Sequence, residues 1–77
     1  MKKSLTDLLI GQKGKIAIDE HAQVPSKYIE LGLTPGTVVE LKSKAPFGGP
    51  IGIKLNENKV LIAIRRQDAK TVMIEKI

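Results

Sequence analysis

Apolar and polar side chains alternate in short segments along this chain of 77 residues, the pattern of half-buried β-strands. The clearest segment is 51–55, where Ile51, Ile53 and Leu55 are predicted to face a core. Further strands are predicted at residues 13–20, 37–44, 59–66 and 71–76. Turn residues separate the five strands at intervals of about 8–12 residues, which predicts a small all-β barrel or sandwich. A closed barrel would also leave no exposed sheet edges.

Capping residues, glycines and prolines predict the rest of the local structure. Residues 4–7 read Ser-Leu-Thr-Asp, a capping-box sequence that predicts a short helical turn. Residues 25–33 predict one helix of about two turns, which starts at Pro25 and stops at Gly32. Turns or loops are predicted at residues 34–36, 45–50, 56–58 and 66–70, the last with room for one helical turn.

The alternation also assigns a face to each side chain. The predicted core residues are Leu5, Leu8, Leu9, Ile16, Ile18, Tyr28, Ile29, Leu31, Leu33, Val39, Leu41, Ile51, Ile53, Leu55, Val60, Ile62, Ile64, Val72 and Ile74. Glu40, Lys42 and Lys44 are predicted to point to water. Leu61 and Ala63 give strand 59–66 a second apolar face, so we expect that strand to be covered on both sides.

The composition fits one small domain over residues 1–77. Hydrophobic residues make up 42% of the chain, and there is no cysteine for a disulfide or a thiolate zinc site. The net charge of +5 favours acidic partners, but the basic residues are scattered rather than clustered as in a nucleic-acid footprint. The N-terminal apolar run is too short for a secretory signal and no segment is as long as a membrane span, so we expect a cytoplasmic protein.

The residue types that usually perform catalysis are almost absent. His21 is the only histidine, and it lies in a polar segment beside Asp19 and Glu20. Adjacent residues in a loop rarely converge on one metal ion, so we expect a solvated loop, with no metal site and no cofactor. No segment has the spacing of a phosphate-binding loop. The sequence therefore predicts a protein that is not an enzyme.

The order of the motifs resembles the FeoA family. The motifs are Leu5, Leu8, Gly11, Gly14 and Ile16 at family spacing, then ELGLTPGTVVEL at 30–41, PFGGPI at 46–51 and AIRRQDA at 63–69. The resemblance covers nearly the whole chain. It implies a five-stranded SH3-like barrel with one short helix inserted after the first strand. It also implies an accessory role in bacterial ferrous-iron uptake, with the FeoB-type membrane transporter as partner.

Lys27, Glu30, Lys44, Phe47, Arg65 and Arg66 are the candidate partner-binding residues. Phe47, the only phenylalanine, lies in the loop richest in proline and glycine, where it either anchors an interface beside Lys44 or caps the barrel. Arg65 and Arg66 either recognise an acidic surface or pair with turn carbonyls. Glu30 either contacts a partner or pairs with Lys27.

The function we predict is docking on the transporter's cytosolic domain, which modulates its assembly or nucleotide cycle. Two alternatives remain open at this point. One is a metal-sensing module, because a related domain ends some metal-dependent repressors. The other is a basic nucleic-acid-binding β-barrel, which the charge favours but the scarcity of stacking aromatics does not. The same scarcity argues against a groove for proline-rich peptides.

Overall fold

The computed structural model describes residues 3–18, 24–56 and 59–76, and these residues form one six-stranded antiparallel sheet with two short helices. In chain order the elements are β1 (Lys3–Ser4), a 3₁₀ turn (Leu5–Asp7), β2 (Lys13–Ile16), α1 (Ser26–Ile29), β3 (Val38–Lys44), β4 (Ile51–Leu55), β5 (Leu61–Ile64), α2 (Arg66–Ala69) and β6 (Met73–Lys76).

The strand order is β1-β6-β2-β3-β4-β5, and every neighbouring pair is antiparallel. The prediction of a closed five-stranded barrel is therefore wrong in two respects. A sixth strand exists, because Lys3 and Ser4 pair with Ile74 and Met73 although they are too few to show alternation. The sheet is also not closed, because β1 and β5 do not pair and remain as its two edges.

The inner face of the sheet and the inner sides of the helices share one hydrophobic core. Its members are Leu5, Leu8, Ile16, Tyr28, Leu33, Val39, Leu41, Ile51, Ile53, Leu55, Ile62, Ile64, Ala69, Val72 and Ile74. The clean alternation of β4 is confirmed, because Ile51, Ile53 and Leu55 are buried between less buried residues. The described core is thus supplied mainly by every second residue of the strands.

The local signals at the helix and turn boundaries are confirmed. The Ser4 N–H donates to Asp7 Oδ2 at 2.9 Å and the Thr6 N–H donates to Ser4 Oγ at 3.3 Å, which caps the 3₁₀ turn. Gly32 has a φ of 106° after α1, and the Leu33 N–H donates to the Tyr28 carbonyl at 3.0 Å. This is a Schellman ending, in which a glycine adopts the left-handed conformation that other residues avoid.

Several predicted core residues are instead exposed. Leu9, Ile18, Ile29, Leu31 and Val60 lie at the surface. Regular pairing of β2 ends at Ile16, so the alternation does not continue and Ala17, not Ile18, is buried. Helix α1 has only four residues, so one side chain, that of Tyr28, faces the core. The prediction of a two-turn helix is therefore wrong, because α1 ends at Ile29.

The outer face of β5 is open to solvent among the described residues. Leu61 is 69% exposed and Ala63 is also exposed, so the prediction that this strand is covered on both sides is wrong. A continuous apolar run is typical of a parallel strand buried on both faces, but an exposed antiparallel edge strand can have the same run. The exposed face belongs to an edge strand, and α1 and α2 contribute Tyr28 and Ala69 to the opposite side of the sheet.

Candidate partner-binding surface

The loop between β3 and β4, residues 45–50, presents Phe47 to solvent. The Ala45 N–H donates to the Pro50 carbonyl at 3.0 Å, and the Gly49 N–H donates to the Pro46 carbonyl at 3.2 Å, so the loop is closed on itself. The Phe47 side chain is fully exposed, and its backbone is left-handed with φ 58°. The reading in which Phe47 caps the sheet interior is therefore wrong. A large apolar side chain is displayed on a short, internally bonded loop.

The side chain of Arg66, the first residue of α2, binds two carbonyl groups of this loop. Its Nε donates to the Gly49 carbonyl at 3.1 Å and its Nη2 donates to the Ala45 carbonyl at 3.0 Å. A planar guanidinium suits two acceptors held side by side. Gly49 is also tightly enclosed, because a Cβ there would lie 2.7 Å from Ala45 Cβ. Arg66 thus pairs with loop carbonyls, and it positions the segment that carries Phe47.

Lys44 does not stand beside Phe47 as predicted. The pairing of β3 with β4 shifts between Leu41 and Ser43, so one extra residue, Lys42, bulges outward. After the bulge Lys44 pairs with buried Ile51 and lies on the inner side. Its Nζ donates to the carbonyl of Thr6, in the 3₁₀ turn, at 3.2 Å. The prediction that Lys44 points to water is wrong, since period-2 alternation does not reveal a bulge.

A polar network joins α1 to α2. The Tyr28 hydroxyl donates to Asp68 Oδ2 at 2.7 Å, and the Arg65 N–H donates to the Tyr28 oxygen at 3.3 Å. Lys27 Nζ lies 3.3 Å from the same Asp68 oxygen. The Tyr28 hydrogen bond is the main cause, with Lys27 next, of an Asp68 pKa below its ordinary value. Lys27 therefore pairs with Asp68 rather than with Glu30.

Two candidate side chains are left at the surface by this arrangement. Glu30 lies at the end of α1 and is exposed, with no side-chain partner among the described residues. Arg65 uses its backbone N–H toward Tyr28, while its side chain is exposed at the start of α2. The six candidate residues thus separate into Arg66, Lys44 and Lys27, which bind other parts of the chain, and Phe47, Arg65 and Glu30, which face solvent.

A shallow depression on the outer face of the sheet was not predicted from the sequence. Ser43, Gly52 and Ala63 lie in one cross-strand row of β3, β4 and β5. Because these side chains are small, they leave a depression of about 240 Å³, bounded at one end by Ala45 and Pro50 of the loop. Alternation indicated that Gly52 points outward, but only the strand register shows that three small residues are neighbours.

Within 3–18, 24–56 and 59–76, no group of three His, Asp or Glu side chains is placed to hold a metal ion. The predicted solvated loop at Asp19, Glu20 and His21 lies outside the described residues. None of the helices in the described part of the chain is long and apolar enough to cross a bilayer.

Sequence and structure comparisons identify relatives. The profile of the FeoA domain matches residues 3–76. No curated protein matches the chain. A crystal structure of an iron uptake regulatory protein (FeoA) superposes with a TM-score of 0.80 at 30% identity, over 100% of this chain and 99% of that one. An FeoA-like protein from Clostridium acetobutylicum gives a TM-score of 0.78 at 27% identity, over 99% of this chain and 87% of that one.

A more distant likeness agrees on the architecture. A manganese-dependent transcriptional repressor superposes with a TM-score of 0.79 over 99% of this chain and 37% of that one, at 13% identity, which shows the fold alone. The open six-stranded sheet is accordingly an SH3-like fold. The profile match extends over almost the full sequence, and it includes the turn after α1, the Phe47 loop and α2. The chain belongs to the FeoA domain family, which is involved in iron(II) transport.

Proposed function

We propose that this chain is a non-enzymatic cytoplasmic accessory of ferrous-iron uptake that docks on the cytosolic domain of an FeoB-type transporter. The observation that carries the proposal is the fully exposed Phe47 on a loop held by Arg66. Family membership supports the link to iron(II) transport. The docking itself is our inference from the surface.

The energetics of Phe47 favour a role in binding. Burying a phenylalanine side chain contributes about 1.5–3 kcal/mol relative to leaving it in water. Aromatic side chains that enter a pocket at the centre of an interface are typical binding hot spots. The loop is already bonded at Ala45, Gly49 and Pro50, so little additional ordering is needed on binding. Phe47 is therefore a suitable anchor for a pocket on the partner.

Docking on the transporter would act on its nucleotide cycle only through differential affinity. If the chain binds one nucleotide state of the cytosolic domain more tightly, it shifts the equilibrium toward that state. Coupling of this kind is typically worth about 1–3 kcal/mol, a change of roughly 5- to 150-fold in affinity. We expect no reacting group from this chain in the hydrolysis step.

Calorimetric titration against the transporter's cytosolic domain, with its GTPase rate measured in parallel, tests the proposal. We expect Phe47→Ser to keep the fold and to weaken binding by at least about tenfold. Ile10→Ser is the matched control, because Ile10 is likewise an exposed apolar residue, 66% accessible, outside the loop. Absence of wild-type binding would reject the function, whereas equal binding by Phe47→Ser would reject only the site.

A further inference from the structure

Among the described residues, no strand pairs with the outer edge of β5, and the direction of each backbone hydrogen-bonding group along this strand can be assigned. The Leu55 N–H donates to the Val60 carbonyl at 2.9 Å, so this opposed pair is a hydrogen-bonded one. In an antiparallel ladder such pairs alternate with non-bonded pairs. Ile62 opposite Ile53 and Ile64 opposite Ile51 therefore also direct their backbone groups toward β4. Leu61 and Ala63 direct their N–H and C=O groups away from β4, toward the sheet edge.

A hydrogen bond from Arg65 occupies the end of this edge and supports the assigned direction of the backbone groups. Arg65 is the next residue in the same row, and its N–H donates to the Tyr28 hydroxyl at 3.3 Å. The free edge among the described residues is consequently the short stretch that contains Leu61 and Ala63. The other edge strand of the sheet, β1, has only two residues, one of them Lys3. It is therefore a poor template for another strand.

The side chains around the edge suit an alternating, partly apolar strand. Leu61 is 69% exposed on the outer face, and Ala63 adjoins the depression beside Gly52. A strand added along β5 would place its outward side chains next to Leu61 and Ala63, because opposed residues of antiparallel strands share a face. One apolar side chain of such a strand would lie beside the depression.

The charges around the edge are basic. Lys59 and Arg65 flank β5, both exposed, and Lys54 lies directly opposite Leu61 on β4. Among the described carboxylates, Glu40 pairs with Lys42 at 3.2 Å and Asp68 pairs with Lys27 at 3.3 Å. An added strand with acidic residues would therefore meet the positive charges of Lys54, Lys59 and Arg65.

From the ladder, the apolar face and the charge together, we propose that β5 accepts an extended acidic segment of a partner protein as an additional antiparallel strand. In this mode backbone hydrogen bonds supply affinity and alternate side chains supply specificity. The edge residues Leu61 and Ala63 are not part of the Phe47 loop, and the inference does not depend on which protein carries the segment.

Two other occupants fit the edge less well. In an antiparallel pairing of two copies centred on Ile62, Leu61 would oppose the partner's Ala63 and Lys59 would oppose the partner's Arg65. Like charges directly opposed across strands are destabilising, so self-pairing in this register is disfavoured. A nucleic acid would satisfy the basic residues but has no peptide ladder to match the Leu61 and Ala63 amides.

An NMR titration of the full ¹⁵N-labelled chain with a short peptide of alternating Glu and Val tests the proposal. We expect hydrogen exchange at the Leu61 and Ala63 amides to slow by at least about tenfold at saturation. The Ile62 and Ile64 amides, already bonded to β4, should change much less. A peptide of alternating Lys and Val should bind at least about tenfold more weakly.

Variants separate the edge from general charge attraction. Leu61→Glu adds repulsion on an exposed side chain and should weaken peptide binding at least about fivefold, with Ile10→Glu as the control of equal charge. Ala63→Pro removes one edge N–H and should also weaken binding. No binding, unchanged exchange at Leu61 and Ala63, or protection that appears without peptide as the chain is concentrated would each overturn the proposal.

Discussion

The phenolic oxygen of Tyr28 lies 2.7 Å from Asp68 Oδ2, a hydrogen bond between residues 40 positions apart that joins α1 to α2. Tyr28 is buried, while Asp68 is only partly covered. The bond aligns the one-turn helix α1 with the end of β5, because the Tyr28 oxygen also accepts from the Arg65 N–H. A helix as short as α1 depends on such tertiary contacts rather than on its own propensity.

Tyr28→Phe should lower the free energy of unfolding by about 1–2 kcal/mol, because it removes the bond to the Asp68 carboxylate and leaves the Arg65 N–H without an acceptor. Urea unfolding measures this change. Combining it with Asp68→Asn should give a smaller effect than the sum of the two single changes. Strict additivity of the two substitutions would show that the bond contributes nothing to stability.

Acidification should destabilise the protein partly through Asp68. The pKa of its carboxyl is lowered from the ordinary value of 3.8, mainly by the Tyr28 hydrogen bond and then by Lys27. A lowered folded-state pKa means that the stabilisation is present above 3.8 and is lost as the pH falls through the folded-state value. Urea midpoints measured from neutral to strongly acidic pH should fall less steeply for Asp68→Asn than for the wild type.

Glu40 should also contribute to the loss of stability at low pH. The pKa of the Glu40 carboxyl is also lowered, mainly by the hydrogen bond from Lys42. Asp68→Asn should therefore reduce the decrease in stability at low pH without abolishing it. If the urea midpoint of Asp68→Asn fell with pH as steeply as that of the wild type, the Tyr28–Asp68 pair would not link folding to proton binding.

Arg66→Lys should loosen the Phe47 loop although it keeps the charge. A lysine ammonium is a compact point charge and does not reproduce the fork that binds both Gly49 and Ala45 carbonyls. We expect a stability loss of about 0.5–1.5 kcal/mol and increased backbone motion at Phe47 and Gly48, measured by NMR relaxation. Arg65→Lys, whose side chain is exposed, is the control and should change neither quantity. Equal behaviour of the two variants would contradict the positioning role of Arg66.

Gly49→Ala should disturb the loop by crowding. The new Cβ would lie 2.7 Å from Ala45 Cβ and 3.2 Å from the Pro46 carbonyl oxygen, so the backbone must shift. We expect a stability loss of about 1–3 kcal/mol, the range for overpacking. Phe47→Gly is the comparison within the loop. It removes only exposed surface and suits the left-handed φ of 58°, so thermal unfolding should show little change or a small gain. A Gly49→Ala variant as stable as wild type would show that the loop has room to relax.

Local signals predicted the parts of the fold that depend on neighbours in sequence. The alternation of Ile51, Ile53 and Leu55 fixed the faces of β4, and Gly32 marked the end of α1. Contacts between distant segments could not be obtained in this way. The pairing of Lys3 with Ile74, and of Arg66 with the Gly49 carbonyl, depends on tertiary geometry that no short window contains.

The sequence indicated candidate residues for the site but not how they are arranged. Phe47 was identified because a lone phenylalanine stood in a proline- and glycine-rich loop, and the structure resolves its exposure. Lys44 was misplaced because the bulge at Lys42 reverses the face that simple alternation assigns. The edge at Leu61 and Ala63 was missed because an apolar run indicates burial on both faces until the strand order is known.

Hydrogen exchange of the chain in complex with the FeoB-type cytosolic domain is the decisive test of docking through the Phe47 loop. We expect binding to slow exchange in the 45–50 loop around Phe47 by at least about tenfold, and we expect Phe47→Ser to abolish this protection without unfolding the chain. A stable complex in which residues 45–50 exchange as fast as in the free protein, or no complex at all, would contradict it.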